Sequence, residues 1–124
     1  MWALRSVGAL YLLSGLWCAL NPQVTSDFLG YTVTNVGLSE FFAVYGGLQV
    51  GLGVAMLIAS VKSNYIEASL MFALMTSLGL LVFRLVALAR FDASEGIIAM
   101  AILEAIIAIV LGLQYKKSMV SSSL

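Results

Sequence analysis

Residues 96–115 have the sequence GIIAMAILEAIIAIVLGLQY, in which Glu104 is the only charged residue. The hydrocarbon core of a bilayer is about 30 Å thick and takes about 20 apolar residues in an α-helix. The stretch therefore predicts a membrane-spanning helix. Three earlier stretches, at about 4–20, 41–60 and 69–89, are similarly apolar. The chain is predicted to be an all-α, integral membrane four-helix bundle that forms one domain over residues 1–124, with a tail at 116–124.

The composition of the whole chain agrees with a membrane protein. Hydrophobic residues make up 62% of the sequence and charged residues 10%, whereas about 25% of a soluble domain is charged. Positive and negative charges are equal in number, so nucleic acid is not expected as a partner. Histidine is absent and Cys18 is the only cysteine. No metal or haem site is therefore expected, and no cofactor is expected other than a bound quinone or lipid.

The connections between the predicted helices indicate how they are arranged. The first helix should end at Asn21-Pro22, because proline disfavours helical geometry in the residue before it. Ser39-Glu40 and Ser94-Glu95 are predicted helix starts, since serine caps free N–H groups and glutamate complements the helix dipole. The connection at 22–39 mixes aromatic and small polar residues, which predicts an interfacial loop or short helix. The other connections are short, so consecutive helices should be antiparallel.

The charges near the helix ends predict the orientation of the bundle. Arg5, Lys62 and the pair Lys116-Lys117 would lie on one side of the membrane, and Arg90 alone would lie on the other. The positive-inside rule then places both termini in the cytoplasm of a bacterial cell, with the protein in the inner membrane. The first helix is expected to be retained, because no small-residue cleavage site follows it. Residues 121–123, all serine, are expected to form a disordered tail.

Small residues recur every four positions on the second predicted helix, at Ala43, Gly47, Gly51 and Ala55. Such a stripe lets two helix backbones approach closely, which is how helices gain packing energy in lipid. The first interpretation is packing against another helix of the same chain. The second is a docking surface for a second copy or for another membrane subunit.

Arg84 and Glu104 lie within the third and fourth predicted helices. Each costs about 2.5 to 3.5 kcal/mol at the bilayer centre on insertion scales, so each is expected to have a partner. In antiparallel helices their depths differ by roughly 5 Å at 1.5 Å per residue, which an arginine side chain can bridge. An ion pair between them is predicted.

Three further polar residues, Glu40, Tyr45 and Gln49, lie in the same half of the bundle as Arg84 and Glu104. The five could form one polar cluster, although Glu40 and Gln49 project about 180° apart on an ideal helix. One interpretation is a buried contact that fixes helix pairing. The other is a site for an oxygen-bearing head group, such as that of a quinone, a lipid or a small polar solute.

Glu40, Tyr45-Gly46-Gly47 with Gly51 and Gly53, Arg84 and Glu104 together resemble a family of small bacterial four-helix membrane proteins known as a domain of unknown function. That family is similar to the DoxX-like group, and the resemblance covers nearly the whole chain. Some DoxX-like proteins are associated with quinone-linked membrane oxidoreductases. The resemblance therefore implies a quinone-associated role or a role as a small subunit.

Three classes of function remain on these observations. The leading hypothesis is a non-enzymatic membrane protein, either a subunit of a membrane complex or a binder of a hydrophobic molecule near Arg84 and Glu104. The alternative is a small-solute or proton-coupled transporter in which Glu104 changes protonation. An enzyme is least favoured, because no nucleophile and base arrangement is present. The expected partners are the lipid bilayer and either a second copy or another membrane protein.

Overall fold

The computed structural model describes residues 1–123, and every regular element in that part of the chain is a helix. The helices are α1 (Trp2–Leu20), a short α2 (Pro22–Phe28), α3 (Asn35–Ala59), α4 (Ser63–Arg90) and α5 (Glu95–Ser122). Helices α1, α3, α4 and α5 are long and apolar enough to cross a membrane. The predicted four-helix bundle is thus confirmed, including the short helix between its first two spans. Met1 and the end of α5 lie at one end of the bundle, the terminal end, and α2 lies at the opposite, loop end.

Several helix boundaries differ from the prediction. Helix α3 begins at Asn35 after Thr34, so Ser39 lies within the helix and does not cap it. Ser94 does cap α5, because its hydroxyl accepts a hydrogen bond from the Ile97 N–H at 3.2 Å. Hydropathy locates the apolar core of a span, but hydrogen bonding continues through polar residues that follow it.

The predicted tail is also different in the structure. Helix α5 continues through Lys116 and Lys117 to Ser122, so the expectation of a disordered serine tail is wrong for Ser121 and Ser122. Lysine is a good helix former, and its charge ends the apolar span without ending the helix. Leu124 lies outside the described residues.

The outer surface of the bundle is apolar. Phe83 on α4 is 78% exposed, and Leu13 on α1 and Leu113 on α5 are also largely exposed. A soluble protein rarely exposes apolar patches of this extent. The exterior is therefore suited to lipid, in agreement with the four candidate spans.

Helices α1 and α3 meet at two pairs of glycines spaced seven residues apart. A Cβ added to Gly53 would lie 2.7 Å from the carbonyl oxygen of Gly8, and one added to Gly15 would lie 2.9 Å from that of Gly46. Neither site has room for a side chain. The two backbones thus pack directly against each other at Gly8–Gly53 and Gly15–Gly46, which is the close approach that favours helix association in lipid.

The stripe of Ala43, Gly47, Gly51 and Ala55 is not part of this contact. All four residues are exposed, and a Cβ added to Gly47 or Gly51 would meet nothing within 4 Å. The first interpretation of the stripe, packing within the chain, is therefore wrong. The physical reason is that neighbouring positions on a helix point about 100° apart, so Gly47 faces away from α1 when Gly46 faces toward it.

Two hydrophobic clusters fill the bundle. The larger is near the terminal end and includes residues of all four long helices: Leu4, Val7, Met56, Ala59, Leu70, Ala73, Leu74, Ile107 and Leu111. The smaller, near the loop end, consists of Cys18, Leu29 and Phe41. The chain after α2 is attached to the start of α5, because the Ser94 hydroxyl donates to the Leu29 carbonyl oxygen at 2.9 Å. The candidate site lies between these two clusters.

Candidate functional site

The loop-end half of α3 has π-helical geometry from Phe42 to Leu48. Such wide turns are rare and frequently occur at functional sites. Tyr45 lies in this segment and lines the interior. Its ring stacks on Phe41 with a centroid distance of 4.6 Å, and its hydroxyl lies 2.9 Å from the Tyr31 hydroxyl. The Tyr45 side chain is therefore fixed by a ring stack on one side and by a hydrogen bond at its hydroxyl.

The predicted ion pair between α4 and α5 is confirmed. Arg84 donates from Nη2 to Glu104 Oε1 at 2.8 Å and from Nε to Glu104 Oε2 at 3.2 Å. The arginine and glutamate side chains are 18% and 8% exposed. Two parallel, charge-assisted hydrogen bonds make a strong and directional contact. They leave further guanidinium N–H groups of Arg84 with no partner among the described residues.

A cavity of about 260 Å³ lies beside this ion pair, and all four long helices contribute to its wall. Its size is close to the lower end of the range for ligand pockets, which is about 300 Å³. The wall is mainly apolar and includes Leu10, Leu48, Leu52, Leu80, Leu103 and Ile107. An apolar pocket with a few polar groups is the usual form of a small-molecule site.

The cavity opens toward the side of the bundle. Val44 and Leu48 on α3 and Leu80 on α4 belong to its wall and are also exposed on the surface of the chain. Because these side chains are apolar and lie within predicted spans, the opening faces the region where lipid would be. A molecule dissolved in the bilayer could enter without passing through water.

The structure places four of the five predicted polar residues at this cavity. Tyr45, Gln49, Arg84 and Glu104 line it. Glu40 is exposed and does not line it, so its inclusion in the cluster is wrong. Glu40 precedes the π-helical segment at the loop end of α3, where its carboxylate reaches solvent.

Three polar residues of the wall were missed by the sequence analysis: Tyr11 and Ser14 on α1 and Thr76 on α4. In the part of the chain that the structure describes, none of their hydroxyl groups, nor the amide of Gln49, has a hydrogen-bond partner within the protein. Free hydroxyl and amide groups in a cavity wall are available to a ligand. A tyrosine in the middle of an apolar helix was the sequence signal for this part of the site.

A second cavity, of about 450 Å³, lies at the loop end between the residues after α2 and the turn from α4 to α5. Tyr31, Asp92 and Ser94 line it, and so does Arg84. Arg84 therefore borders both cavities. Tyr45 lines the first cavity and Tyr31 lines the second, and the hydrogen bond between their hydroxyls connects the two walls.

The fold and the site define a class: multi-pass helical membrane proteins with a polar contact in the wall of an apolar cavity. Comparison with family models, with curated proteins and with solved structures found no match.

Proposed function

We propose that this protein is a non-enzymatic membrane protein that binds a hydrophobic molecule with an oxygen-bearing head group, a quinone or a lipid, in the cavity beside Arg84 and Glu104. The observation that carries the proposal is a partly buried, doubly hydrogen-bonded ion pair in the wall of an apolar cavity that opens toward lipid. The head group would lie against the polar wall, and the apolar part of the molecule would extend through the side opening.

The charges at the site favour a neutral head group. Arg84 and Glu104 cancel each other, so a charged group entering the cavity would lose its hydration without gaining a counter-charge. Arginine has five N–H donors, of which Glu104 takes two. The remaining donors and the Gln49 amide suit a carbonyl or hydroxyl oxygen better than a phosphate.

The cellular setting belongs to the same proposal. The excess of lysine and arginine at the terminal end supports a bacterial inner membrane location with both termini in the cytoplasm. The resemblance to DoxX-like proteins supports a role as a small subunit of a membrane complex. The outward-facing stripe of Ala43, Gly47, Gly51 and Ala55 is the surface at which we place contact with a second copy or another membrane protein.

The proposal is tested by identifying what copurifies with the protein. Organic extracts of the purified protein would be examined by mass spectrometry and by the ultraviolet change of quinones on chemical reduction. The expected result is one quinone or lipid at near-stoichiometric amount, lost in Arg84→Gln and kept in Arg90→Gln, which removes an exposed arginine of the same helix. An equal amount in both variants, or only bulk lipid in the wild type, would refute the assignment.

The second candidate function, a small-solute or proton-coupled transporter, is favoured by a different observation. Arg84 lines both cavities, so its side chain lies between the loop end and the interior of the bundle. Flux measurements with purified protein in liposomes separate the candidates. A transporter moves solute or protons across the membrane in a manner that depends on Glu104, whereas a binding protein does not.

A further inference from the structure

Ser77 on α4 is an exception among the buried polar side chains. The described residues include five of these, at Thr25, Ser26, Ser60, Ser77 and Glu104. Glu104 pairs with Arg84. The hydroxyls of Thr25, Ser26 and Ser60 each donate to a carbonyl oxygen three or four residues earlier in the chain. The Ser77 hydroxyl has no hydrogen-bond partner, although Ser77 is 2% exposed.

An unpaired buried hydroxyl is unfavourable and calls for a physical reason. A serine within a helix usually satisfies itself by donating to a carbonyl oxygen of the preceding turn. Ser60 does so, with its hydroxyl 2.7 Å from the Leu57 carbonyl oxygen. Ser77 does not; its hydroxyl lies close to that of Tyr11 on α1, in a contact that falls short of hydrogen-bond geometry.

Tyr11 connects Ser77 to the cavity. The Tyr11 side chain lines the cavity wall, and so does Thr76, the residue before Ser77. Neither hydroxyl has a partner in the described part of the protein. Tyr11 on α1 and Thr76 on α4 thus line the same cavity, and the Ser77 hydroxyl lies beside that of Tyr11, outside the wall.

This place is separated from the ion pair along the bundle. Thr76 and Arg84 are on the same helix and eight residues apart, which corresponds to about 12 Å along the helix axis. Apolar residues of the wall, including Leu80, lie between them. The cavity therefore has polar groups toward both of its ends and an apolar middle.

We propose that Tyr11 and Thr76 form a second hydrogen-bonding position, which binds a second oxygen atom of the ligand whose first oxygen lies at Arg84, and that Ser77, which lies behind Tyr11 and outside the cavity wall, positions the Tyr11 hydroxyl. This inference rests on the proposed function and narrows it. The ligand is a ring that carries oxygen atoms on opposite edges, as a 1,4-quinone or its hydroquinone does, rather than a lipid with a single neutral hydroxyl. The apolar middle of the cavity receives the faces of the ring.

The test compares two probes with the same alkyl tail: an alkyl 1,4-benzoquinone and an alkyl-substituted ring with one carbonyl oxygen. Binding of each to detergent-purified protein would be measured by calorimetry. We expect wild-type protein to prefer the quinone by about fivefold, since one hydrogen bond is worth roughly 1 kcal/mol and 1.4 kcal/mol is tenfold in affinity. Tyr11→Phe and Ser77→Ala should reduce this preference while binding of the one-oxygen probe is unchanged.

A matched control and a second readout keep the outcomes distinct. Ser60→Ala removes a buried serine hydroxyl far from the cavity and should leave the preference intact. In protein without ligand, Ser77→Ala should have an unchanged or higher melting temperature, because it removes an unpaired group. If both probes bind and the variants change neither affinity, the second position is refuted while the proposed function stands. If neither probe binds and nothing copurifies, both proposals fail.

Discussion

Gly53 on α3 lies directly against Gly8 on α1, so that a methyl group on Gly53 would be 2.7 Å from the Gly8 carbonyl oxygen and 2.6 Å from the Leu12 nitrogen. Gly53→Ala should therefore force the two helices apart, with a loss of stability of about 1 to 3 kcal/mol, the usual cost of overpacking. Gly51→Ala is the matched control, because its new methyl group would meet nothing within 4 Å. Melting temperatures in detergent measure both. Equal behaviour of the two variants would contradict the packing described for α1 and α3.

This packing shows that the contact face of a helix cannot be predicted from the sequence of that helix alone. The stripe from Ala43 to Ala55 repeats every four residues and is visible within α3 alone. The true contact depends on a match between two helices: Gly8 and Gly15 have the same seven-residue spacing as Gly46 and Gly53. A pattern within one helix indicates that a close approach is feasible, but the packing partner determines which face of the helix makes the contact.

The ion pair is tested by a double-mutant cycle. Arg84→Gln leaves Glu104 buried without its partner, and the carboxylate can relieve the cost by taking up a proton. Glu104→Gln leaves a guanidinium, which stays charged in proteins, so this variant should be the more damaging. Combining the two should recover much of the lost stability, because an unpaired buried charge costs more than a missing pair. The expected coupling energy exceeds about 0.5 kcal/mol.

Coupling below about 0.3 kcal/mol, the scatter of independent sites, would contradict the bidentate contact. The binding readout separates a structural pair from a ligand site. If the pair only holds α4 to α5, the double variant should regain ligand binding together with stability. If its N–H groups hold the head group, the double variant should be stable and remain unable to bind.

The hydroxyl contact between Tyr31 and Tyr45 predicts a second coupled pair. Tyr31→Phe and Tyr45→Phe each remove the same 2.9 Å hydrogen bond, so each should cost about 0.5 to 1.5 kcal/mol. The double variant should then cost little more than either single one. Tyr65→Phe, at an exposed position of α4, is the control and should have no effect. Additive losses in chemical denaturation would show that the two hydroxyls act separately.

The orientation of the bundle is tested with reporter fusions. A reporter at the C-terminus and a reporter near Asn35 should lie on opposite sides of the membrane, with the C-terminal one in the cytoplasm. The structure supports the opposition, since α5 ends at the terminal end and Asn35 begins α3 at the loop end. A cytoplasmic signal from both positions would overturn the proposed topology.

The candidate site was predictable to the extent that it depends on charge. Arg84 and Glu104 could be paired from the sequence because a buried charge in lipid requires a partner and their depths match. Tyr11 and Thr76 could not be assigned to the same wall. Their contribution depends on how α1 and α4 are rotated about their axes, which is set by packing with the other helices. Glu40 was assigned to the site because it lies in the same half of the bundle, but on an ideal helix it already projects about 180° from Gln49.

The π-helical segment at Phe42–Leu48 makes the geometry of α3 depend on the number of residues in that segment. Its hydrogen bonds span one residue more than those of an α-helix. Deleting a single residue there would restore α-helical geometry. Because the wide turn already accommodates one residue more than an α-helical turn, the Asn35–Phe41 end would keep its orientation relative to the Gln49–Ala59 end. Only the side chains within the segment, including that of Tyr45, would point in new directions. One deleted codon would thus redirect the part of the cavity wall that Tyr45 forms and leave both ends of α3 in place.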